Sequence, residues 1–277
     1  MDSGLPEAPY DLLTRMIAVS PNDLGPANAL VRRVCAGTMS LPALPSDSSA
    51  SDDAAVRDFA EQFAADVSSM SDAQRGAFLA ATGNDAFTVT ACVFIADFVP
   101  RVSAGLAALG LPAIPEPTGW DHDGEPIDLV LNRFAPMVGA MRALDPVTTE
   151  VVRLRGAVQH ACRLCKSLRE GAALDAGGTE SMYDDIESYE TSDLLEERHK
   201  AALRFVDALI WTPSRIQPDV AAGVHEHFSA AEALELTLDV MRNAANKIAV
   251  ALAADAARVA EGTERYLLGT DGQPVYA

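Results

Sequence analysis

Residues 150–169 read Glu150-Val-Val-Arg-Leu-Arg-Gly-Ala-Val-Gln-His160-Ala-Cys162-Arg-Leu-Cys165-Lys-Ser-Leu-Arg169. Apolar Val151, Val152, Leu154, Ala157 and Val158 recur at helical spacing and lead directly into two cysteines one turn apart. Upstream, Asp145-Pro-Val-Thr-Thr-Glu150 has the form of a helix start. Asp145 can cap, Pro146 suits the first position and Glu150 lies near the positive end. The spacing predicts one helix running from there through the cysteines to Leu174, where Asp175-Ala-Gly-Gly-Thr-Glu180 stops it. On such a helix Cys162 and Cys165 share a face and can close a disulfide with little movement. Arg169, a turn beyond Cys165, would stand on that face too and favour an anionic sulfur.

Outward from this stretch the chain reads as helix almost throughout. It has 277 residues, 49% of them hydrophobic and only 6% aromatic, which suits an all-α protein with a sizeable core. Residues 8–36 form a helical segment broken at Pro21, and 41–53 a polar Pro/Ser-rich loop. The period returns from Ala54, and Ser71-Asp-Ala-Gln74 is a capping box. Ala86–Leu109 is the most apolar segment, expected to be a buried helix kinked at Pro100. Pro112, Pro115, Pro117, Gly119, Gly124 and Pro126 mark a boundary. They separate an N-terminal helical region, 1–118, from a domain at 119–277 that carries the cysteines. Helix resumes over 127–144. The acidic stretch 184–197 reads as a solvated face. Beyond it come a helix over 197–211, a short one over 219–227, and a long one that Ser229-Ala-Ala-Glu232 caps and that runs towards Val259. The small residues of 240–259 suit close packing or a subunit interface, and 269–277 reads as a tail. The two capping boxes, each opening an apolar helix that carries Asn, suggest a degenerate duplication of one helical unit.

A formal net charge of -19 argues against a nucleic-acid partner and against an anionic membrane surface. The opening Met1-Asp-Ser-Gly-Leu-Pro-Glu7 lacks the apolar core of a secretory signal, and four cysteines are too few for a disulfide scaffold. A cytoplasmic location is therefore expected, where a Cys-x-x-Cys pair serves redox or metal chemistry. Three readings of the pair compete: a zinc site, an inert buried pair and a dithiol redox site. Zinc usually needs a second pair, while Cys35 and Cys92 lie apart in apolar helices. No Gly-rich dinucleotide fingerprint is present, and no cofactor is expected. His199, His225 and His227 read as surface histidines, and His160 as pointing away from Cys165 on a continuous helix.

Glu150-x11-Cys162-x2-Cys165, followed by the stop at Gly177-Gly178 and a further helix, resembles the carboxymuconolactone decarboxylase / alkylhydroperoxidase D-like family. His199-Lys-Ala-Ala-Leu through Trp211-Thr-Pro, Phe228-Ser-Ala-Ala-Glu and Asn243-x2-Asn246-Lys resemble its second half, so the likeness spans about residues 127–255. The resemblance implies an all-helical, homo-oligomeric thiol peroxidase or thiol–disulfide oxidoreductase acting on a small peroxide and recycled by a dithiol reductant or redox protein. It implies catalytic roles for Cys165 as attacking thiolate, Cys162 as resolving thiol and Glu150 as proton acceptor or orienting group. Arg169 stands where the family carries a relay histidine. Arginine can hold a thiolate but cannot exchange a proton near neutral pH. A lyase or isomerase on a small carboxylated lactone, or a non-catalytic member that lost the relay, are the rival readings.

Overall fold

The structure, a computed structural model, describes residues 8–276; the segment Met1–Glu7, on which the expectation of no secretory signal rests, and Ala277 lie outside them. The fold is predominantly α-helical, as the periodicity predicts. In chain order come α1 (Ala8–Ala18), α2 (Gly25–Met39), α3 (Ala54–Asp66), α4 (Asp72–Thr82) and α5 (Ala86–Ala108). A π-helical turn, Asp128–Phe134, runs into α6 (Ala135–Gly139), followed by α7 (Pro146–Gln159) and α8 (Arg163–Lys166). Next are β1 (Leu168–Glu170), α9 (Gly171–Asp175), α10 (Glu180–Asp184), α11 (Glu197–Trp211), α12 (Pro218–His227), α13 (Ala230–Ala244) and α14 (Lys247–Ala251). The chain closes with β2 (Glu264–Leu268) and β3 (Pro274–Tyr276).

Both capping boxes form as read: Ser71 and Ser229 accept from the N–H of Gln74 and Glu232, whose side chains reach back. Helix α5 is the axis of the core, with α1, α2, α11, α13 and α14 packed around it. Its apolar surface is spent inside the protein. In the stretch Asp72–Ala108, apolar and long enough to cross a bilayer, 78% of the most hydropathic window is buried. One main core cluster draws on both segments divided at residue 118, from Leu13 and Phe59 to Phe205 and Met241. Within it α5 holds a charged group the apolar pattern conceals. Asp97 accepts from Arg101 at 2.7 Å and from Lys247 of α14 at 2.7 Å, all three buried. An uncompensated charge there would be costly, and the pairing offsets it.

Four expectations are corrected. The helix from Ser229 does not reach Val259: it ends at Ala244 and resumes as the short α14, Lys247–Ala251, and the inner faces of both pieces are packed in the core. The acidic stretch is not only a solvated face. Tyr183, Ile186, Tyr189 and Leu195 form a second core with Val151, Leu154 and Leu203, while the carboxylates between them face out. The C-terminal residues are no tail: β2 pairs in parallel with β1 and antiparallel with β3. The turn at Gly272 sits so close to the backbone of α6 that a Cβ there would collide with the Pro136 carbonyl, and its φ of 74° independently favours glycine. Finally, the helix predicted to run through the cysteines to Leu174 breaks before them, at Gln159.

Candidate functional site

Helix α7 starts as read, with the Asp145 carboxylate accepting from the Thr148 N–H at 2.9 Å and Pro146 in the first turn. It stops at Gln159. The Cys162 N–H donates to the Ala157 carbonyl (3.0 Å) and the Ala161 N–H to that of Val158 (3.1 Å), the pattern of a Schellman turn. Ala161 occupies its left-handed position, with φ 51°. Glycine is usual there, and an alanine costs about 1 kcal/mol or more. That turn redirects the chain, so Cys162 becomes the N-cap of a new helix of only four residues, α8.

Cys162 and Cys165 are joined as a disulfide, their Cα atoms 5.4 Å apart. Cys162 Sγ also accepts from the Cys165 N–H at 3.2 Å. The pair is covered: Cys162 is 1% and Cys165 6% exposed, packed with Ala157 and roofed by half-buried Leu164 and Val250. Cys35 and Cys92 are free thiols buried elsewhere, as expected, and burial pushes the Cys92 thiol up to about 12.

Glu150 lies beneath this turn, 1% exposed. Its oxygens accept from Arg153 Nε and Nη2, both at 2.6 Å, and from the Glu170 N–H at 3.2 Å. Arg153 was not singled out by the sequence reading, although Glu150 and Arg153 stand three apart on one helix, a spacing that signals an ion pair. It is the hub of the site. Beyond Glu150 its guanidinium donates to the carbonyls of Cys165 (2.9 Å) and Leu168 (2.8 Å) and lies 5.7 Å from the ring of Tyr266 on β2. Burial alone would lower its pKa, but the Glu150 carboxylate overrides this and drives it above the normal arginine range. Glu150 is therefore locked in a bidentate pair beneath the cysteines.

Arg169 is not where the continuous helix would have put it. The chain leaves α8 at Ser167 and enters β1, turning Arg169 towards α10. Its guanidinium grips Glu180 (2.9–3.0 Å), donates to the carbonyls of Lys166 and Leu168, and lies 5.5 Å from the Tyr183 ring. The expected thiolate-holding cation is thus a fastener for the far end of α8. Arg163 pairs with Asp255, and Lys166 is exposed.

Of the histidines, His199 departs from the surface position expected of it, and His225 does not. His160 caps α7 and is buried, its ring edge-on to Phe98 at 6.3 Å and its Nε2 without a hydrogen-bond partner. Burial, aided by the charges of Lys247 and Arg101, holds its pKa well below the usual value. His199, read as a surface residue, is buried and accepts from the Glu196 N–H through Nδ1 at 3.3 Å, whereas His225 is exposed. The structure thus brings Cys162, Cys165 and Glu150 together around Arg153 and leaves Arg169 at the edge.

No established family profile matches the chain. Two Mycobacterium tuberculosis proteins do: Rv2313c of strain H37Rv and MT2376 of strain CDC 1551, both bearing the name uncharacterized protein. Each is 53% identical over 281 residues, a match that spans 98% of this chain and 99% of the relative.

Proposed function

This chain belongs to the family of those two mycobacterial proteins, and we propose that it is a thiol–disulfide oxidoreductase or thiol-dependent peroxidase whose Cys162 and Cys165 cycle between dithiol and disulfide. The observation that carries this reading is the disulfide across a single helical turn, set at the N-terminus of α8. In the forward half-cycle the Cys165 thiolate, on the more exposed of the two residues, attacks a peroxide oxygen. The O–O bond breaks, an alcohol leaves with a proton, and Cys165 becomes a sulfenic acid. The Cys162 thiolate then attacks that sulfur and releases water. With a disulfide as oxidant, Cys165 forms a mixed disulfide and releases one thiol, and Cys162 then attacks Cys165 and releases the second. A dithiol reductant supplies two electrons and two protons to reopen the bond.

The likeness to the alkylhydroperoxidase D-like family is part of this proposal, as are its homo-oligomeric assembly and cytoplasmic location. Glu150 departs from the family role: held by two 2.6 Å bonds from Arg153, it positions the turn rather than shuttling a proton. Arg169 has no part in the chemistry. Burial of both sulfurs favours small oxidants and a reductant that meets a transiently opened turn.

Dithiol-dependent consumption of an organic hydroperoxide and of a small disulfide, by wild type and by Cys165→Ser, tests the reading. Turnover in wild type that disappears in the variant is the expected result. A small carboxylated lactone turned over equally by wild type and variant would instead put the activity in the decarboxylase branch.

A further inference from the structure

The α8 turn offers three backbone N–H groups at its start, and the structure accounts for each. That of Cys165 points at Cys162 Sγ (3.2 Å). The other two go to one residue 92 positions away: Arg163 N–H donates to Asp255 Oδ2 at 2.9 Å, and Leu164 N–H to the Asp255 carbonyl at 3.0 Å. Asp255 is carried in by a second turn of the same kind that ends α7. Helix α14 closes with Ala253 at φ 56°, the Ala254 N–H donating to the Ala249 carbonyl and that of Ala253 to Val250. Two Schellman turns thus face each other, one delivering Cys162 and the other Asp255. The carboxylate is buried, and its other partner is the Arg163 guanidinium, at 2.6 Å and 3.3 Å. Burial works against the Asp255 anion, and the hydrogen bonds from Arg163 overcome this, holding its pKa below the usual range.

We propose that Asp255 is a positioning residue that biases the Cys162–Cys165 couple towards the disulfide, because it occupies the N–H groups that would otherwise stabilise a Cys162 thiolate. A cysteine at a helix start gains acidity from those unpaired donors. Here Asp255 has taken two of them, one with its carboxylate and one with its backbone carbonyl, and the carboxylate adds like-charge repulsion against a second anion on the same turn. The bonded state, which carries no charge on sulfur, suffers neither effect. A couple whose thiolate is poorly stabilised is harder to reduce, the reverse of an oxidant whose reduced form is favoured. Arg163 moderates the effect from its exposed side.

The inference rests on the redox reading of the pair, and one experiment separates their failures. Wild type, Asp255→Asn and Arg163→Ala are each equilibrated at mildly alkaline pH with graded mixtures of reduced and oxidised dithiothreitol, and the bonded fraction is read by alkylation and mass spectrometry. Removing the anion is expected to move the equilibrium towards the dithiol by roughly threefold to tenfold, the scale of up to one pKa unit. Removing the arginine is expected to move it the opposite way. A loosened turn would shift both variants in the same direction, so equal constants or shifts of one sign overturn the role of Asp255. Arg163→Ala, altered at an exposed side chain, keeps the test open if Asp255→Asn does not fold: a shift towards the dithiol in it counts against the proposal. A wild-type protein that never exchanges with dithiothreitol overturns the redox reading and the Asp255 assignment together.

Discussion

The guanidinium of Arg153 donates to the backbone carbonyl of Cys165 across 2.9 Å, so the helix carrying Glu150 is tied directly to the second cysteine. The same group holds Glu150 by two bonds and the Leu168 carbonyl by a third. Its removal leaves a buried carboxylate without its partner, which typically costs about 3–5 kcal/mol. Arg153→Met is therefore expected to lower the urea unfolding free energy by that order. The double variant Glu150→Gln, Arg153→Met should recover at least half of the loss. Losses of the two single variants that simply add would contradict the Glu150–Arg153 pairing.

Arg169 makes the opposite case. Its bonds to Glu180 and to the carbonyls of Lys166 and Leu168 lie at the rim of the site. Arg169→Ala should cost about 1 kcal/mol of stability, in the range for a partly exposed charged pair. It should leave the rate of disulfide exchange by dithiothreitol within about twofold, because the side chain faces α10 rather than the sulfurs. A much larger loss of exchange rate would return Arg169 to the site.

Val250 and Leu164 roof the cysteine pair. Trimming the roof lowers the cost of local opening, the step a reductant depends on. Val250→Ala should speed reduction by dithiothreitol by roughly threefold to tenfold while leaving the equilibrium constant close to wild type. Stopped-flow alkylation would follow the rate. An unchanged rate would mean that the sulfurs are reached by another route.

A buried acidic pair on α13, Glu235 and Asp239, gives a pH signature independent of sulfur. Burial and the neighbouring Asp239 push the Glu235 carboxyl up to about 7, although it accepts from the N–H groups of Ala143 and Leu144. Asp239, raised to about 6 by burial and restrained by Arg242, shares the site. A raised carboxyl keeps its proton in the folded state while the unfolded chain has lost it, so its contribution to stability falls as pH rises through that window. Glu235→Gln removes this penalty. Relative to wild type the variant should gain on the order of 2 kcal/mol between about pH 5 and about pH 8, measured by denaturant unfolding. No change in the difference would contradict a protonated Glu235.

Much of this was legible in the residues. Asp145-Pro146, the two Ser capping boxes and the apolar run of α5 each carry a local signal, and each formed where it was read. The Cys-x-x-Cys spacing gave the bond. What escaped was the end of α7, because Ala161 holds a left-handed position that sequence reading expects from glycine. That one residue set the phase of everything after it and misplaced Arg169. The break at Ala253 was hidden in the same way. Asp255 and strand β2 reach the site through contacts some ninety residues apart in sequence, for which no local pattern exists. Arg153 could have been found from its spacing to Glu150, and was masked by the more conspicuous cations nearer the cysteines.

In the proposed function Cys162 and Cys165 are a reversible couple. Purified protein taken through dithiothreitol, then a stoichiometric hydroperoxide, then dithiothreitol again, with alkylation and peptide mass spectrometry at each stage, tests it most directly. A Cys162–Cys165 disulfide that opens, reforms on peroxide and opens once more, while Cys35 and Cys92 stay reduced throughout, is the expected result. Cysteines that remain thiols after the peroxide step, or a bond that dithiothreitol does not open in the folded protein, would contradict it.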